Sequence, residues 1–223
     1  MADIVSNITH LKQQIPASVK LVAVSKTKPE SDILEVYNSG HKIFGENRVR
    51  ELLQKKDNLP ADIEWHMIGH LQGNKVRQIL PFISLIHSTD SLRLLKTIGN
   101  EASRINRVID CLLQIHIAEE ETKFGFSMDE IHEMMRSEEL GNLSFVRICG
   151  VMGMATFTDD SERIRNEFRY LAQCFTELKG DYFAEKPEFR EISMGMSGDY
   201  QIAIGEGSTI VRIGSLIFGE RNL

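Results

Sequence analysis

Apolar positions along the chain fall into one repeated unit: a short apolar run, a polar tip, then a stretch whose apolar residues recur three and four apart. The runs are KLVAVSK (20–26), KIFGEN (42–47), EWHMIGH (64–70), SLIHSTD (84–90), CLLQIHIA (111–118), FVRICGVMGMA (145–155), EISMGMS (191–197) and IVRIGSLIFG (210–219). Several are almost continuously apolar, the pattern of parallel strands covered on both faces. Helical patterns lie between them. ESDILEVYNSG offers Ser31 as an N-cap, Ile33, Leu34 and Val36 as a buried face, and Gly40 as a stop. ENRVRELLQKK gathers Val49, Leu52 and Leu53 on one face. SERIRNEFRYLAQCFTELKG spaces Ile164, Phe168, Leu171, Phe175 and Leu178 by three and four, and then reaches Gly180.

Eight strands alternating with helices predict an α/β fold with a parallel sheet. Eight is also the number that closes a barrel with a filled interior, so the expected fold is a single (β/α)8 TIM-type barrel domain over residues 1–223. An open doubly wound sheet is the alternative. The barrel is preferred because polar residues sit at the C-terminal tip of nearly every strand, where such barrels keep their sites.

Composition changes this picture little: 42% apolar and 26% charged residues describe an ordinary globular chain. A net charge of −6 argues against a nucleic-acid partner, which needs a basic face. No apolar run approaches the ~20 residues that cross a bilayer, and the N-terminal segment lacks the features of a signal peptide. Cys111, Cys149 and Cys174 are widely spaced and in no CxxC arrangement, as expected of reduced thiols in a cytoplasmic protein.

Three stretches carry candidate chemistry. Lys26 ends an apolar strand, in parity with Val22 and Val24, and Lys28 follows two residues on. A lysine at a strand tip is ordinarily a solvated loop residue. Partial burial beside another cation would depress its pKa and free the amine to attack a carbonyl. In SMGMSGDY, Ser197 and Gly198 stand where a following helix would open, an arrangement that favours phosphate, although Ser197 reads equally as an ordinary N-cap. In IVRIGSLIFGER, Arg212 lies inside an apolar strand and needs a partner, a core acid or a ligand. Gly214 and Ser215 follow at its tip, where glycine admits an anion close to the backbone. An aldehyde carrying a phosphate would satisfy all of these groups, and pyridoxal 5′-phosphate is such a molecule.

The motifs AVSKTKP, FGENRVRE, WHMIGHLQGNK, GVMGMAT, SMGMSGDY and VRIGSLIFGER, in this order, resemble the pyridoxal phosphate homeostasis proteins, small barrels similar to the N-terminal domain of alanine racemase. The resemblance covers nearly the whole chain. It implies that Lys26 forms a Schiff base with pyridoxal phosphate, that Ser197, Gly198, Gly214 and Ser215 cradle the phosphate, and that Arg212 faces the pyridine nitrogen. It also sets Asn47 beside the cofactor and Met154 near the ring. The implied function is a non-catalytic carrier in intracellular pyridoxal phosphate homeostasis, a cytoplasmic monomer whose further partners are cofactor-requiring apoenzymes. A racemase is the alternative, but it needs a second base, supplied in alanine racemase by a tyrosine across a dimer with a further domain, and the chain's end four residues after Gly219 leaves no room for that domain. A Schiff-base aldolase is a second alternative.

The remaining marked residues carry bland readings. His66 and His70 on a strand stand ~13 Å apart, too far to share a metal ion. The acids of AEEETKFG (118–125) read as solvated surface, the methionines as core filler, Cys149 as inert packing, and Trp65 as packed between strand and helix.

Overall fold

In a computed structural model, residues 3–118, 124–138 and 143–220 are described. Eight parallel strands close into a barrel in sequence order, each hydrogen-bonded to the next and β8 to β1. They are β1 (Lys20–Val24), β2 (Ile43–Glu46), β3 (Glu64–Met67), β4 (Ile83–Thr89), β5 (Ile109–Gln114), β6 (Val146–Met152), β7 (Glu191–Ser193) and β8 (Ile210–Ile213). All eight expected strands form, each shorter at its C-terminal end than its apolar run. The surplus residues become the loops of the upper rim. The acidic run lies outside the described residues except for its ends.

Outside the strands run α1 (Ile4–Gln14), α2 (Glu30–Asn38), α3 (Val49–Lys56), α4 (Val76–Ile79), α5 (Leu92–Arg104), α6 (Met128–Arg136) and α7 (Ser161–Asp181). Two short helices, α8 (Tyr200–Gly205) and α9 (Ser215–Phe218), follow β7 and β8. Two helix ends differ from expectation. Pro29, not Ser31, stands at the N-cap of α2, because proline's fixed φ suits the chain entering the first turn. Gly180 lies inside α7, which runs to Asp181 and begins on Asp160, whose carboxylate accepts from the amides of Glu162 and Arg163.

Two cores result. The larger lies between strands and helices and holds Ile33, Val36, Phe44, Leu52, Trp65 and Phe168. The smaller fills the barrel and contains Val22, Leu85, Leu112, Cys149, Met152 and Ile210. Val22 belongs to the interior set, so the parity that joins it to Arg212, its register partner on β8, points inward. Met152 and Met194 are fully buried and Met154 packs on the interior set, whereas Met196 is 38% exposed.

Three histidines are buried in this framework, and burial disfavours the imidazolium. It pulls His41 down to about 4 and His66 to about 3, and puts His87 well below its ordinary value. Unfolded, each takes a proton near pH 6.5, so the unfolded state binds more protons below that pH and stability falls as pH drops from 6.5 toward 4. Glu46 and Asp199, both raised by burial, act in the opposite sense and reduce the slope. The urea midpoint should therefore fall over this window. His41→Gln should flatten the dependence by up to one proton, about 1.4 kcal/mol per pH unit.

Candidate functional site

The C-terminal tips of β7, β8, β1 and β2 are neighbours around the barrel, and on or just beyond them lie Lys26, Asn47, Ser197, Gly198, Arg212, Gly214 and Ser215, whereas Met154 follows β6. Lys26 is half-buried, two residues beyond Val24. A Cβ added to Gly214 would lie 3.2 Å from the Val24 carbonyl oxygen, so the β1 and β8 tips are in direct contact. Ser197 joins the other turn to them, since its Oγ accepts from the Gly214 amide at 3.3 Å. Ser197 is therefore not a helix cap. Asp199 holds the N-cap position of α8, and its carboxylate accepts from the Met196 amide. Gly195 sets the direction of this turn: its φ of +95° is left-handed, and a Cβ there would come within 2.6 Å of Ala203. Around Gly198 a Cβ would meet nothing within 4 Å, so space above the turn is open. At the start of α9 the amides of Ser215 and Leu216 have no acceptor among the described residues, while those of Ile217 and Phe218 donate to the Gly214 carbonyl.

Arg212 is 4% exposed and makes no ion pair among the described residues. Its guanidinium donates from Nη1 to the Ser193 carbonyl at 2.8 Å and the Ser193 hydroxyl at 2.5 Å, and from Nη2 to the Gly153 carbonyl at 3.1 Å. The partner expected from the sequence, an acid or a ligand, is thus supplied first by carbonyls and a hydroxyl. Burial lowers its pKa to about 10, with Asp199 opposing, so the group stays charged at neutral pH. The Nε hydrogen and one on Nη2 have no partner among the described residues.

The backbone around Lys26 is held by a buried ionic frame that sequence reading missed. Lys55, on α3, donates to the Ser25 carbonyl at 2.8 Å, to Glu46 at 2.8 Å and to Glu51 at 2.6 Å. The Ser25 hydroxyl also donates to Glu46 at 2.7 Å, and Glu51 accepts from the Thr27 amide at 2.5 Å. Both neighbours of Lys26 are therefore fixed, and Thr27 adopts a left-handed φ of 64°. Glu46 is completely buried. Burial raises its carboxyl, Lys55 and Ser25 oppose the rise, and its Oε2 has no hydrogen-bond partner. A signal existed for Glu46 and Glu51, since both lie within FGENRVRE and Glu46 ends an apolar strand. None existed for Lys55, which reads as one of two lysines on an exposed helix face.

One further expectation is corrected: His70, expected on a strand with His66, lies beyond β3, which ends at Met67. The Lys28 amine donates to the Phe218 and Gly219 carbonyls at 3.0 and 3.2 Å, where the C-terminal end of α9 favours a cation. His70 bonds Asp90 at 3.0 Å and stacks on Phe124, while His66 bonds His87. Asn47 follows β2 half-buried, and a Cβ on Gly69 would meet its carbonyl oxygen at 2.4 Å, so the loop after β3 approaches Asn47 only through glycine.

With this geometry in view, comparison with known proteins is specific. Residues 1–222 match the alanine racemase N-terminal domain family. A pyridoxal phosphate homeostasis protein of Aquifex aeolicus is 42% identical over 91% of this chain and 87% of its own. One from Vibrio alginolyticus is 36% identical over 100% and 99%. The solved structure of PipY from Synechococcus elongatus with pyridoxal phosphate bound superposes with a TM-score of 0.88 at 33% identity, covering 97% of this chain and 100% of that one.

The ionic frame yields a test. Lys55→Met would leave Glu46 buried without its counter-charge and should cost about 3–5 kcal/mol in urea unfolding at pH 7. Adding Glu46→Gln should recover most of that loss. If Lys55→Met alone is neutral, the frame is not what fixes the β1 tip.

Proposed function

The chain belongs to the pyridoxal phosphate homeostasis proteins, within the alanine racemase N-terminal domain family, and from that premise we propose that it holds pyridoxal 5′-phosphate through a Schiff base to Lys26 and exchanges it with other proteins. The observation that carries this reading is the meeting of a half-buried lysine, two open turns and a buried guanidinium at adjacent strand tips.

The residues present fit the group. Ser197, Gly198, Gly214 and Ser215 would hold the phosphate: amides without helical partners and two hydroxyls suit an anion, and Gly198 leaves room for one. Arg212 has two N–H groups remaining for a ring acceptor. A guanidinium can only donate, so it would leave the pyridine nitrogen unprotonated. Asn47 would flank the ring from the β2 tip. Bound there, the cofactor supplies an aldehyde for reversible linkage to amines. With its nitrogen unprotonated it withdraws electrons weakly, which disfavours chemistry at a substrate carbon.

A carrier is favoured over a racemase by the placement of the tyrosines. The Tyr37 hydroxyl donates to Asp62, that of Tyr182 pairs with His132, and that of Tyr200 donates to Gln14 on α1. Tyr170 is 42% exposed on α7. None offers its hydroxyl to the upper rim as a second base. The names of the relatives point the same way. No helix of the described residues is long and apolar enough to cross a membrane, and we place the carrier in the cytoplasm as a single-domain monomer serving apoenzymes.

Purified protein incubated with pyridoxal phosphate should show an imine absorption band, and borohydride should fix the added mass on the peptide containing Lys26. Lys26→Ala should lose the band entirely with an unchanged circular dichroism spectrum; a band that survives would place the linkage elsewhere. With L- or D-alanine the loaded protein should show no change of chirality at enzyme-like rates, ~1 s⁻¹ or above. Turnover at such rates would favour the racemase.

A further inference from the structure

A cavity of about 450 Å³ opens at the opposite end of the barrel, among the first residues of the strands. Lys20, Ile43, Glu64, Ser84, Asp110 and Arg147 line it, each the first or second residue of its strand. His66 also lines the cavity, yet its residue is only 5% exposed.

A chain of hydrogen bonds runs from His66 through the barrel to Arg212. His66 Nδ1 lies 3.0 Å from His87 Nε2, and His87 Nδ1 lies 2.9 Å from Ser193 Oγ, which accepts from Arg212. The direction of every link follows from its end. Arginine can only donate, so Ser193 accepts from it and has one hydrogen of its own to give. Ser193 is fully buried and its hydroxyl has no other acceptor among the described residues, so that hydrogen goes to His87 Nδ1. Burial keeps His87 neutral, so its single hydrogen sits on Nε2 and is given to His66 Nδ1. His66, neutral for the same reason, must then carry its hydrogen on Nε2. That atom has no hydrogen-bond partner among the described residues. The chain thus leaves an unpartnered donor on a residue that lines the cavity, and Ser84, with no side-chain hydrogen bond among the described residues, adds a hydroxyl to the same lining.

Charge on the rim selects the ligand. Arg147 is engaged by Asp110 at 2.6 and 2.9 Å, and Lys20 by Glu191 at 2.6 Å. Arg190, also on the rim, lies 3.5 Å from Glu191. Glu64, within the field of Lys42, and Glu188 line the cavity without an ion pair among the described residues. These acids repel a polyanion and attract a cation. Glu64 is two residues before His66 on β3, on the same side of the strand and about 7 Å away along it. That distance suits a molecule whose carboxylate and ammonium are a few bonds apart.

We propose that the N-terminal mouth of the barrel is a second binding site, for a small zwitterion of the amino-acid class, whose carboxylate accepts from His66 Nε2–H and Ser84 while its ammonium faces Glu64. The site is on the far side from the proposed cofactor and does not depend on it.

The test uses the full chain freed of pyridoxal phosphate, so that the probe, glycine, cannot form an imine. Nitrogen-15 NMR of the histidines should show both His66 and His87 with hydrogen on Nε2. Glycine should shift the His66 Nε2 signal saturably, and acetate, which lacks the ammonium, should not at the same concentrations. Glu64→Gln, at an exposed position, should weaken glycine roughly tenfold or more, the loss of one charge-assisted hydrogen bond, without changing the tautomer. Hydrogen on His66 Nδ1, no response to glycine, an equal response to acetate, or unchanged affinity in Glu64→Gln would each overturn the proposal.

Discussion

A buried guanidinium has five hydrogens to donate and no lone pair to accept with. Placed in β8 at the heart of the barrel, Arg212 imposes that asymmetry on everything near it. The Ser193 and Gly153 carbonyls turn toward it, and the Ser193 hydroxyl becomes an acceptor with one proton left to pass on. The burial that makes an unsatisfied charge costly also makes each of these bonds directional. In the proposed site the same donor-only character would decide which ligand Arg212 could serve: an unprotonated ring nitrogen would fit and a protonated one would not. One residue type thus links the histidine pair inside the barrel to the proposed electronics of the cofactor.

The second organising device is the ion triad of Glu46, Lys55 and Glu51. Isolated buried charges are expensive, and a triad of this kind adds little to net stability compared with apolar packing. What it supplies here is position. Lys55 and Glu51 grip the chain immediately before and after Lys26, and Lys28 anchors the following residues to the end of α9. A flexible lysine on a free loop would pay a large ordering cost for any covalent or ionic partner. With its backbone fixed on both sides, Lys26 is spared the backbone part of that cost.

The two mouths of the barrel differ in construction. At the upper rim, turns carry open amides and glycines. At the lower, several strands carry a charged residue at their first or second position, and some of these pair, as Lys20 of β1 does with Glu191 of β7 and Arg147 of β6 with Asp110 of β5. The upper rim is the one proposed to take a phosphate. The lower rim, where Glu64 and Glu188 form no ion pair among the described residues, is the one proposed to take a molecule with both signs of charge.

Local pattern was enough to find all eight strands, because a strand covered on both faces must be apolar along its length and the turns that end it must be polar. It also located Lys26, Arg212 and the two glycine turns, since an amine or guanidinium at the end of an apolar run is conspicuous. What it did not reveal were contacts made across the barrel. Lys55 reads as a solvated lysine until α3 folds back over the β1 tip. His87 and Ser193, 106 residues apart, become partners only when β4 and β7 face each other across a closed interior. The partners of Lys28 and Ser197 were hidden for the same reason, lying 190 and 17 residues away. Periodicity reports which face of an element is buried, a property of neighbours in sequence. Which polar group meets which inside the barrel is set by closure and register, and those exist only in the folded chain.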